Sequence, residues 1–115
     1  MGDIYLIEFP NDIYDRFVEK KGQYLILLNL PSRKVYREGN ILTVSQKNGD
    51  KKHQIKIKNI LYFNTIKEAV EMLGKNQIGY TSSFTADKIE DIFTTYNKPA
   101  DLDKYGVMAI NFENV

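Results

Sequence analysis

The sequence predicts an α+β fold: a small mixed β-barrel of five or six strands with three flanking helices. Three observations carry that prediction. Residues 40–46 (NILTVSQ) and 53–63 (HQIKIKNILYF) are apolar or alternating runs joined by a turn-forming Asn48-Gly49, the pattern of an antiparallel hairpin. Three other segments place apolar residues at helical spacing behind capping residues. Finally, 115 residues of which 43% are hydrophobic suffice for one core and are too few for two, so residues 1–115 form a single domain.

Taken in order, Ile4–Phe9 (IYLIEF) is a short apolar run ended by Pro10, a first strand. Asn11 is placed to cap a helix over residues 11–21 in which Ile13, Tyr14, Phe17 and Val18 share a face, and Gly22 is placed to stop it. Residues 23–30 (QYLILLNL) are apolar at both parities, as in a strand buried on both sides. In the hairpin, Ile55 and Ile57 point inward while Gln54, Lys56 and Lys58 point out. Asn48-Gly49 tolerates the positive φ that a tight turn demands. Thr65 and Glu68 stand at capping-box spacing ahead of a helix over 65–73 that stops at Gly74. A third helix, 85–96, has Thr85 as its cap and Ile89, Ile92, Phe93 and Tyr96 at helical spacing before Pro99. Residues 105–113 (YGVMAINFE) form the last strand, inside the sheet.

Composition narrows the chemistry. The absence of cysteine excludes a thiol nucleophile, a thiolate zinc site and a disulfide scaffold. No apolar run approaches the roughly 18 residues of a bilayer span, and no basic region precedes the first apolar stretch, so the chain reads as a cytoplasmic protein with no membrane partner. A serine or threonine nucleophile would want a histidine, and the single one, His53, opens a lysine-rich strand where a solvated position is expected. Glu68 with Glu71, and Asp87 with Glu90 and Asp91, read as solvated helix faces. Asp101 and Asp103 flank a turn and lack the ligand density of a calcium loop, and no glycine-rich phosphate loop is present. The residues assemble no catalytic or metal site and imply no cofactor.

The net charge of +1 conceals a division along the chain. Residues 1–15 hold four acids and no Lys or Arg, residues 16–58 hold eleven Lys or Arg against three acids, and residues 59–115 hold five against eight. Within the basic middle, SRKVYREG (32–39) concentrates Arg33, Lys34 and Arg37 around Tyr36.

Three stretches together point to a family. The strand KYGVMAINFE, the run YFNTIKEAVEML and the turn RKVYREGNIL occur in the order and at the spacing of a Lys-Tyr-Gly-Val strand, an aromatic-led strand entering a capped helix, and a basic turn leading to Gly-Asp. In the last of these, Gly39 stands in the glycine place and Asn40 where the aspartate usually stands. From about Ile4 to Phe112 the chain resembles the ASCH domain, a PUA-like barrel found in RNA-associated coactivators and in small stand-alone microbial and viral proteins. The resemblance departs at the family's Gly-Lys-Lys-Thr-x-Glu-x-Arg segment. KKGQYLILLN occupies its place, with Lys21 at the first lysine, Gly22 at the second, Gln23 at the threonine, Leu25 at the glutamate and Leu27 at the arginine. Some small relatives remove the acetyl group of acetylcytidine with a lysine, a threonine and a glutamate ahead of the last helix. Here that last segment is GYTSSFT, without a carboxylate, so the resemblance implies binding rather than catalysis.

In such a barrel the basic turn lies at the mouth of the cleft. Lys20, Lys21, Tyr24, Arg33, Lys34, Tyr36 and Arg37 are therefore the candidate nucleic-acid contacts, cations for phosphates and tyrosine rings for bases of RNA or another single strand. The competing reading of Tyr24 and Tyr36 is core packing, and of the cations a solvated loop. Two other classes remain open. Leu25 and Leu27 give the cleft an apolar floor that would suit a protein-binding module or inhibitor of phage or mobile-element type gripping a host protein. An amidohydrolase like the acetylcytidine enzymes is the third.

Overall fold

Five strands and four helices are formed by the residues that the computed structural model describes, 3–19 and 22–115. In chain order they are β1 (Ile4–Phe9), α1 (Asn11–Glu19), β2 (Tyr24–Leu28), β3 (Ile41–Gln46), β4 (Lys52–Phe63), α2 (Ile66–Leu73), α3 (Ala86–Phe93), α4 (Pro99–Tyr105) and β5 (Val107–Asn114). The strands form one sheet in the order β1-β3-β4-β5-β2, parallel between β1 and β3 and antiparallel elsewhere. The α+β prediction holds, with five strands, and the sheet is a curled half-barrel: β1 and β2 are its two edges and do not pair.

The curl has a local cause. Between Ile57 and Asn59 the β4–β5 register slips by one residue, leaving Lys58 as a bulge that bends the strand and shifts its inward parity from Ile55 and Ile57 to Ile60. Inside the curl, Ile7, Phe9, Leu25, Leu27, Leu42, Val44, Ile55, Ile57, Met108 and Ile110 pack with Ile13 and Tyr14 of α1. A second cluster covers the other face of β2 and β5, where Leu28 and Val107 meet Ile66, Ala69, Val70, Ile89, Phe93 and Leu102 of α2 to α4. This explains why both parities of β2 are apolar: each faces a different core.

Caps behave as their chemistry requires. The Thr65 hydroxyl accepts the Glu68 N–H at 3.1 Å, and the Thr85 hydroxyl accepts the Lys88 N–H at 3.1 Å. Asn11 differs: its side chain accepts the Asn48 N–H at 3.3 Å, tying α1 to the hairpin loop instead of capping the helix. That loop runs over 47–51 and closes through Gln46 N–H to Lys51 O at 3.1 Å, and Gly49 stays outside the positive-φ region. Helix α3 ends at Phe93 rather than at 96, because the hydroxyls of Thr94 and Thr95 and the Asn97 amide donate to the carbonyls of its last turn. Pro99, which the sequence suggests as a stop, instead opens α4 at its first position, where a missing N–H costs nothing.

Candidate functional site

The basic turn connects β2 to β3. Residues Pro31–Arg33 form a single 3-10 turn, and the bend after it is fixed by Asn40, which is buried. Asn40 Oδ1 accepts the Arg37 N–H at 2.7 Å, and its own N–H donates to the Arg37 carbonyl at 3.0 Å. Gly39 N–H to Ile57 O at 2.8 Å and Ile57 N–H to Asn40 O at 2.9 Å then fasten the turn to β4. Asn40 thus supplies the acceptor that shapes the turn without setting a negative charge beside the cations.

Those cations differ in freedom. Arg33 is half-buried and donates to the Leu28 carbonyl at 3.0 Å, a group on the unpaired edge of β2. Arg37 is exposed but folds its guanidinium onto the Lys34 and Tyr36 carbonyls. Lys34 is exposed. Tyr36 is only 7% exposed, its ring against Tyr5 at 5.1 Å between centroids, so it floors the turn and presents no open face to a base. Lys20 and Lys21 lie outside the described residues.

At the opposite end of β2 a cleft of about 70 Å³ opens between α1, the start of β2 and the segment around Tyr80. Tyr24, Ile26, Phe17, Tyr80 and Tyr96 line it, with Arg16 as its charged group. Tyr24 is half-buried and its hydroxyl accepts from Asn111 Nδ2 at 3.5 Å. The Arg16 guanidinium lies 5.2 Å from the Tyr80 ring centre and 5.3 Å from that of Phe84, a cation held on two aromatic faces. Tyr96 joins the two cores, 5.8 Å from Phe9 and 5.6 Å from Phe93 between ring centres.

Burial pushes the Tyr96 phenol far above its ordinary value, with Tyr80 and Asp12 acting in the same direction and Arg16 and Arg33 against it. Burial likewise raises Tyr80, opposed by Arg16. Because Tyr96 has a higher pKa folded than unfolded, its contribution is complete below pH 10 and is lost as pH rises above it, where the unfolded chain ionises first. Tyr96→Phe is expected to lose less melting temperature between pH 10 and 11 than the wild type, as read by thermal scans across that range.

Gly22 makes the cleft wall possible. A Cβ there would lie 2.7 Å from Gly79 N and 2.9 Å from Gln77 O, both backbone atoms that cannot turn aside, while Gln23 N–H donates to the same Gln77 carbonyl at 2.7 Å. Gly22→Ala should cost about 1–3 kcal/mol, the range of overpacking, measured by urea unfolding.

Sequence reasoning selected the turn but missed Arg16, Tyr80 and Tyr96. Arg16 reads as an ordinary helix cation, and only the fold brings the segment around Tyr80 over it. His53 is also placed differently from expectation: it is half-buried, its ring edge-on to Phe17 at 5.9 Å and its Nε2 2.8 Å from Asn114 Oδ1. Among the described residues no cluster of three metal-ligating side chains occurs, and no helix is long and apolar enough to cross a membrane.

No protein-family model matches the chain, and no curated protein matches it. Solved structures do. The archaeal hypothetical protein PH0355 superposes with a TM-score of 0.79 at 18% identity over 97% of this chain and 99% of its own. Protein PF0455 from Pyrococcus furiosus superposes with a TM-score of 0.69 at 18% identity over 100% of this chain and 98% of its own. These likenesses establish the fold, shared along the whole length.

Proposed function

We propose that this protein is a non-catalytic, ASCH-like module of the PUA-like class that binds single-stranded nucleic acid, most naturally RNA. The observation that supports this best is the basic turn itself, which Asn40 and the bonds of Gly39 and Ile57 hold in one shape with Lys34 and Arg37 exposed on it. Leu28, which holds Arg33, and Tyr24 stand at the two ends of β2, about 13 Å apart at roughly 3.3 Å per residue. A strand laid along that edge meets Lys34 and Arg37 with its phosphates and reaches Tyr24 and Tyr80 with one base. At about 70 Å³ the cleft admits the edge of a base and not a whole nucleotide. Affinity therefore rests on charge, and contact is shallow. Leu25 and Leu27 belong to the inner core, so the floor is hydrophobic for packing reasons.

Each neutralised phosphate on a single strand contributes about −0.7 to the log-log salt slope. Lys34→Gln with Arg37→Gln should flatten the slope by about 1.4, with the melting temperature nearly unchanged, since both side chains are exposed. Fluorescence anisotropy with a labelled oligouridylate across a salt series measures this. Equal slopes, or no salt-dependent binding by the wild type, would remove the proposal. With no carboxylate on the cleft wall among the described residues, acetylcytidine should not be deacetylated between about pH 6 and 9.

A further inference from the structure

We propose that the cleft beside α1 binds a small apolar monocarboxylate, with the carboxylate on Arg16. Of the chain's arginines, Arg33 donates to the Leu28 carbonyl, and Arg37 donates to the carbonyls of Lys34 and Tyr36. Arg16 differs from both. Its guanidinium is held over the Tyr80 and Phe84 rings, and its N–H groups donate to no acceptor among the described residues. It is also half-buried. A guanidinium fixed in this way offers a fork of donors, the shape that a carboxylate fills with two parallel hydrogen bonds.

The wall around Arg16 suits the rest of such a ligand. Among the described residues no carboxylate lines the cleft, and Asp12 and Glu19, one turn to either side on α1, are exposed and outside that wall. Half-burial takes water from the Arg16 cation, and an anion is the partner that compensates for it. Burial raises the phenols of Tyr80 and Tyr96, so both stay neutral and set no charge against an anion. Ile13, Phe17 and Ile26 add apolar wall. Size limits the ligand's body. At about 10–15 Å³ for each water-sized group, the 70 Å³ of the cleft holds about five to seven such groups, a carboxyl on about two to four further carbons. Carboxylate and base would exclude one another at Tyr24 and Tyr80, but carboxylate binding needs none of the turn's cations and stands whether or not nucleic acid binds.

The probe is isovalerate, titrated at constant ionic strength against the isotope-labelled full chain and followed by NMR. Saturable shifts are expected at the amides of Phe17, Gly22, Tyr24 and Tyr80. Isovaleramide, the same shape without the charge, and acetate, the same charge without the apolar body, should each bind about tenfold more weakly. Arg16→Gln should weaken isovalerate about tenfold and leave isovaleramide unchanged, which reports an intact cleft, whereas Arg16→Lys, with charge but no fork, should fall between. Lys34→Gln with Arg37→Gln should leave isovalerate binding unchanged, which separates this site from the nucleic-acid reading. Equal affinity for isovaleramide would reduce the cleft to an apolar slot and overturn the proposal. So would isovalerate binding that survives Arg16→Gln, or the absence of saturable shifts in the wild type.

Discussion

Removing residues 107–115 is expected to abolish cooperative unfolding. β5 lies between β4 and β2, so its loss breaks two ladders and leaves β2 without a partner in the sheet. Val107 and Ile110 are fully buried and Met108 is 1% exposed, one serving the helical cluster and two the inner one. At roughly 1.5–3 kcal/mol for each large apolar side chain, these three alone approach the lower part of the 5–15 kcal/mol that a domain of this class possesses. Circular dichroism during a thermal scan should show a gradual slope in place of a sigmoid. A sharp transition in the truncated chain would mean that β5 is peripheral, against the observed strand order.

Gly106→Ala should be the most damaging single methyl group. Gly106 joins α4 to β5 at φ 72 and ψ −161, a region that residues with a Cβ essentially do not enter, and a Cβ would lie 2.6 Å from the Phe63 carbonyl oxygen. Strain of about 1–3 kcal/mol and a similar overpacking cost act together, so a loss above about 2 kcal/mol is expected. Urea unfolding at fixed m-value measures it. Gly39, also at positive φ but with nothing within 4 Å of the added Cβ, is the control. Gly39→Ala isolates the backbone cost, and if it proves as severe as Gly106→Ala, the close approach to Phe63 contributes nothing.

Much of the fold was legible because its signals are local. The IYLIEF strand, the threonine caps at Thr65 and Thr85 and the hairpin register of Ile55 and Ile57 each depend on residues within a few positions of one another. What escaped depends on distant context. Pro99 carries the same chemistry whether it ends α3 or begins α4, and the hydroxyls that end α3 at Phe93 decide between them. The open half-barrel was hidden because no sequence pattern states that β1 and β2 remain apart. The candidate site divides in the same manner. Arg33, Lys34 and Arg37 are visible as a cluster in the chain, whereas Arg16, Tyr80 and Tyr96 come together only when the segment around Tyr80 packs on α1. Tyr36 was legible both as an aromatic ring among cations and as core, and the packing on Tyr5 that decides for the core is a long-range fact.

The pairing of β2 with β5 also sets a timetable for synthesis. Tyr24 pairs with Asn111, 87 positions later, so β2 leaves the ribosome long before its partner exists. At about 5–20 residues per second the delay is on the order of ten seconds. Through that interval β2, with apolar residues at both parities, and the β4 flank that β5 will occupy are unsatisfied at once. The nascent chain is exposed to misassociation in this window, and β2 is the strand that waits longest for its partner.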